Sequence, residues 1–212
     1  LGLEAYHTAY YNGSDSCVSW LVYDQWRYGQ LINSSYSAMI QYIGGNVGFA
    51  SHYNWHPIKG LRLMAGGTVD IYGAFKNQSR NVNNPSSGDI QVNLMASIGA
   101  QYKFTWNKWA LSLDYMATTP LVGAMFVPEM GQSYYEIYLN LPQCMNDVIH
   151  FTSFHNRQGV RGNLSINFVL PTVTLFVGMT HNHQWWQANY MNFYVKELSG
   201  QVGIALNLGI IK

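Results

Sequence analysis

The sequence predicts an all-β fold, an antiparallel transmembrane β-barrel of the outer-membrane type with about twelve strands, in one domain over residues 1–212. Three observations predict it. Residues Ile90–Phe104 alternate without a break, with Ile90, Val92, Leu94 and Ile98 on one face and Gln91, Asn93, Ser97 and Lys103 on the other. Successive strand side chains point to opposite faces, so this stretch has one oily and one wet face. A tilted crossing of a bilayer takes roughly 9–11 residues, and ordinary soluble strands run to only about five or six. Charged residues make up 10% of the chain and aromatics 15%, with 16 Tyr. A soluble sheet would carry far more Lys and Glu on its wet face. Mean hydropathy is −0.07, and no apolar run approaches the roughly 18–20 residues of a membrane-crossing helix.

The elements follow in order. Strands are expected near residues 1–11, 17–28, 34–43, 46–56, 60–76, 89–104, 108–118, 133–140, 148–156, 161–170, 173–183 and 193–211. Leu61–Lys76 repeats the alternation and keeps Arg62, Asp70 and Lys76 on the face opposite Leu63, Val69 and Ile71. Trp109–Ala117 sets Asp114 against Leu111 and Leu113, and Arg161–Leu170 sets Arg161 against Leu164 and Ile166. Leu206, Leu208 and Ile210 continue the pattern near the end. A cation facing lipid costs roughly 2–4 kcal/mol at the midplane, which is why a barrel wall enforces this partition. His56–Gly60, Thr105–Lys108 and Leu170–Thr172 read as tight turns at one end. Asn77–Gly88, Pro120–Gln132 and Gln184–Asn192 read as longer loops at the other. Cys17 and Cys144 then fall at opposite ends, too far apart to bridge.

Net charge is +1, with no basic patch interleaved with aromatics, so no nucleic-acid partner is expected. The chain opens on Leu1 and ends Ile210-Ile211-Lys212. That is read as a processed start and a final strand short of its closing aromatic, with localisation to the bacterial outer membrane inferred from the barrel itself. Outer-membrane lipids, lipopolysaccharide among them, and other outer-membrane proteins are the expected partners. No cofactor is expected. His181-Asn182-His183 could contribute to a zinc site only with further ligands, so the segment reads as an interfacial aromatic belt and no metal is expected.

Three segments together, Asn81-Val82-Asn83-Asn84-Pro85, PLVGAMFVPEMGQSYYEIY from Pro120 to Tyr138, and IHFTSFHNRQGVR from Ile149 to Arg161, resemble a family of Bacteroidota outer-membrane barrels catalogued only as a domain of unknown function. The resemblance covers roughly the second two thirds of the chain. It implies the compartment and the fold and carries no catalytic residues with it.

Three constellations bear on function. Arg62, Asp70, Lys103, Asp114, Glu136, His150 and Arg161 all fall on inward faces, where balanced signs point to a paired network that plugs the interior. The alternative is the lining of a narrow diffusion channel. Met125, Phe126, Val127 and Met130 make an oily loop suited to docking a partner. Ser153 and His155 share the two-residue spacing that puts a hydroxyl and an imidazole on one strand face. The sequence thus points to an accessory or structural subunit of a larger outer-membrane transport or biogenesis complex without intrinsic catalysis. The alternative is an outer-leaflet lipid hydrolase, a lipid A deacylase or phospholipase, using Ser153 and His155.

Overall fold

A computed structural model describes residues 2–12, 17–32, 35, 38–80, 86–128 and 132–206. They form ten strands and two short helices: β1 (Gly2–Asn12), β2 (Val18–Ile32), β3 (Met39–Ile58), β4 (Leu61–Gln78), β5 (Ser86–Trp106), β6 (Trp109–Phe126), α1 (Tyr134–Leu139), α2 (Leu141–Val148), β7 (Ile149–Ser153), β8 (Arg157–Val169), β9 (Val173–Ala188) and β10 (Met191–Leu206). Every ladder is antiparallel, and the sheet runs β1 to β6, then β8, β9 and β10, with β7 also on β6. β7 pairs with Val122–Phe126 and β8 with Ala110–Thr118, so these two follow one another along the same neighbour. The sheet curls into a half-barrel. Arg161 on β8 reaches Asp70 on β4 at 3.1 Å, and Arg27 on β2 comes within 3.8 Å of Glu197 on β10. Among the described residues β1 and β10 each have one neighbour in the sheet, and both run from the helical end towards the opposite, turn end.

The tight turns sit where the sequence placed them. Gly60 follows β3 with φ at +86°, and a Cβ there would lie 2.5 Å from the Lys103 carbonyl oxygen. Only glycine fits such a turn. Asn107 reverses the chain between β5 and β6, and Leu170–Thr172 does so before β9, at the same end. The expected loop over Gln184–Asn192 is instead mostly strand. It narrows to Asn189 and Tyr190, both at positive φ, the geometry of a two-residue hairpin turn.

Four further expectations are corrected. Strands 34–43 and 46–56 are one twenty-residue strand, β3, because Gly44-Gly45 is not a turn. A Cβ on Gly45 would sit 2.7 Å from the Trp26 ring, so this glycine marks a close crossing between strands. β6 runs on through Pro120 to Phe126, because the register shift between Leu94 and Met95 makes a bulge there, where proline is tolerated. Residues 133–140 form α1, since Ser133 and Glu136 make a reciprocal capping box. Finally, both cysteines change ends: merging β3 puts Cys17, an exposed free thiol before β2, at the turn end, and the helix in place of a strand over 133–140 leaves Cys144, in α2, at the helical end. They remain at opposite ends. Asn81–Pro85, Met130, Leu208 and Ile210 lie outside the described residues.

The two faces of the sheet differ sharply. Val69, Ile71, Val92, Leu94, Ile98, Ile166 and Leu206 are exposed on the convex side. Asp70, Gln91, Asn93 and Asn46 are buried on the concave side. Aromatics gather towards strand ends. Trp20, Tyr53, Trp55, Tyr102, Trp106 and Trp109 lie towards the turn end, and Tyr28, Phe75, Phe151 and Tyr194 towards the other, all exposed. Among the described residues, no helix is long and apolar enough to cross a membrane.

Candidate functional site

The concave hollow is built by inward positions of strands that are not neighbours. At its middle Asp70 accepts three hydrogen bonds on one oxygen, from the Tyr23 hydroxyl at 2.6 Å, the Asn46 amide at 2.7 Å and Arg161 at 3.1 Å. Arg161 also donates to the Tyr23 oxygen at 2.8 Å and lies 5.5 Å from the centre of its ring. β2, β3, β4 and β8 are thereby tied across the hollow. A buried carboxylate is tolerable only with such saturation.

Towards the turn end the polar groups close on each other. Ser19 donates to Asn54 at 3.0 Å, and His52 and Ser97 share a bond of 2.7 Å. Asp114 accepts from Gln101 at 3.0 Å and from Asn167 at 2.9 Å. Towards the helical end the hollow opens into a cavity of about 420 Å³. Arg157, 4% exposed, donates there to Asn93 at 2.6 Å and to Gln184 at 3.1 Å, and lies 5.9 Å from the centre of the Trp186 ring. Lys76 is held by Asp89, and the Tyr42 and Tyr72 hydroxyls share a bond of 2.9 Å.

Of the seven residues expected to form one inward network, the structure joins Asp70 and Arg161 as an ion pair. Asp114 is bonded to amides instead, the buried Arg62 Nε has no hydrogen-bond partner among the described residues, and Lys103 is exposed near the turn end of β5. His150 bonds the Val127 carbonyl oxygen at 3.3 Å. Glu136 is not in the hollow at all. It caps α1, and bonds from the Ser133 backbone N–H and side chain hold its carboxyl below the usual range. Arg27, Lys76 and Arg157 are not among those seven; Arg157 shares strand parity with Arg161 but falls in the gap between the strands expected over 148–156 and 161–170, which β8 in fact spans from Arg157.

The oily segment is not an exposed loop. Met125 and Val127 are 1% and 7% exposed and pack with Trp186 and Ala188. Phe126 lies under α1 and α2 against Ile137 and Val148. Ser153 and His155 do meet, Oγ to Nδ1 at 2.6 Å, at the end of β7. The imidazole stacks on Phe151 and, among the described residues, no carboxylate bonds it. His181 and His183 are on β9, with His181 stacked on Tyr115. Among the described residues no cluster of three metal-ligating side chains occurs.

Fold and hollow together define a ten-stranded antiparallel half-barrel with an apolar outer face and a hydrogen-bonded polar interior. Residues 19–212 match the family described as "Protein of unknown function (DUF3316)", and the chain belongs to it. The match begins well before the segments that carry the resemblance in sequence. No curated protein and no solved structure matches the chain.

Proposed function

We propose that the chain is an integral protein of the bacterial outer membrane and serves as a non-catalytic accessory subunit of a larger outer-membrane assembly. The observation that carries the reading is the convex face, a mainly aliphatic band with exposed aromatics towards both sets of strand ends. Water gives no reason to display such a band, whereas lipid with its two interfaces does. The subunit role is supported by the strand edges of β1 and β10, which have no ladder between them among the described residues. Unpaired backbone groups are not tolerated in hydrocarbon, so these edges require another protein strand or each other.

Photo-crosslinking residues at Leu3 on β1 and Leu198 on β10, at native expression, test this. Discrete adducts with a second outer-membrane protein from both positions, and none from Ile98 on the wall, are expected. Crosslinks from Leu3 to β10 of the same chain alone would make the barrel self-closing and end the subunit reading.

A second reading, lipid hydrolysis at the rim, is favoured by the 2.6 Å contact between Ser153 and His155. That contact uses Nδ1, the nitrogen that an orienting carboxylate would otherwise hold. Ser153→Ala and His155→Ala are expected to leave lipid composition unchanged. Loss of a deacylated lipid A or lysophospholipid species in both variants, with the barrel folded, would favour the hydrolase.

A further inference from the structure

The cavity at the helical end is the size of a small-molecule site, about 420 Å³. Its lining is charged out of balance: Arg27, Lys76, Arg157, Arg161 and Lys196 against Asp70 and Glu197. Most of these cations are accounted for. Asp70 holds Arg161, Asp89 holds Lys76, and Glu197 stands 3.8 Å from Arg27.

Arg157 differs. Among the described residues no carboxylate lies within 4.0 Å of it, and its bonds go to the neutral side chains of Asn93 and Gln184. It is 4% exposed, and its Nε is buried without a partner. Arg27 Nε, on another residue of the same lining, is likewise buried with no hydrogen bond among the described residues. A buried charge with no directly bonded counter-ion is costly, and an unmatched donor beside it adds to the cost. The same groups become favourable once an anion enters, because a guanidinium fork matches the geometry of a carboxylate or phosphate. Flat apolar surface stands alongside: Trp186, with Phe193 stacked on it at 5.5 Å between ring centres, lines the same space.

We infer that this cavity binds a small organic anion, a carboxylate or phosphate monoester carrying a flat apolar group, with its head on Arg157 and its body along Trp186. The inference rests on the interior alone and is independent of what surrounds the convex face. The Asp70–Arg161 cluster forms the floor of the site.

Calorimetry on the full chain in detergent micelles at fixed ionic strength tests it, with phenyl phosphate, benzoate, inorganic phosphate and benzylammonium as probes. Saturable binding of phenyl phosphate or benzoate is expected, whichever is tighter identifying the head group. Inorganic phosphate should bind about ten-fold or more weakly for want of the apolar body, and benzylammonium not at all. Arg157→Gln should weaken the aromatic anion about ten-fold or more. Arg157→Lys, which keeps the charge and loses the fork, should weaken it less. Absence of saturable anion binding, equal binding of benzylammonium, or undiminished affinity in a folded Arg157→Gln protein would each overturn the inference. Should Arg157→Gln fail to fold, the anion-against-cation comparison on the unaltered protein decides.

Discussion

Arg157 and Arg161 stand four residues apart on one face of β8, yet they belong to two differently built halves of the hollow. Arg161 is closed by Asp70 and Tyr23, and from its level towards the turn end several polar side chains bond one another, while Arg62 Nε, His52 Nδ1 and Asp114 Oδ1 are buried there without a hydrogen bond among the described residues. Arg157 faces neutral amides and open space. The residue type and the strand parity are the same; the presence of a facing carboxylate is what differs. A buried cation beside a carboxylate works as a structural tie, and one without it leaves room for a ligand.

The largest expected effect separates the two. Arg161→Met strands the Asp70 carboxylate and should cost about 3–5 kcal/mol in urea unfolding from detergent, most of it restored in Asp70→Asn/Arg161→Met. Arg157→Met strands no charge and should cost less, about 1–3 kcal/mol from the lost bonds to Asn93 and Gln184. Equal costs for the two arginines would erase the distinction. A smaller effect concerns the passage of ions. With its middle crossed by the Asp70 cluster, purified protein in planar bilayers should show little steady conductance. Large, stable, ion-selective openings would turn the hollow into a channel and the charges into its lining.

Much of this architecture is legible in the sequence because period-two alternation is an unambiguous signal over long strands. The alternation across Leu61–Lys76 and Ile90–Phe104 sets the sidedness of Asp70, Gln91, Val92 and Ile98, which the structure bears out. What alternation cannot reveal is the reason for a breaker. Gly44-Gly45 reads as a turn and is a close crossing under Trp26; Pro120 reads as a strand end and lies at a bulge. Tyr134–Leu139 carries strand-favouring aromatics, and only the Ser133–Glu136 capping box marks the helix. The site was half legible for a related reason. Inward parity places Asp70 and Arg161, but their contact depends on how far the sheet curls, and Arg157 lies in the gap between two expected strands rather than on one.

Whether the convex face stands in lipid is tested most directly by depth-resolved accessibility. Spin labels introduced one at a time at Val69, Leu94, Ile98, Ile166, Trp20 and Trp106 in liposomes would report collisions with oxygen and with a water-soluble nickel complex. Labels at the four aliphatic positions should be rich in oxygen collisions and shielded from nickel. Those at Trp20 and Trp106 should be intermediate, and the shielded band should span about 25 Å. Uniform access of the nickel complex to all six positions would place the convex face in water and contradict the account.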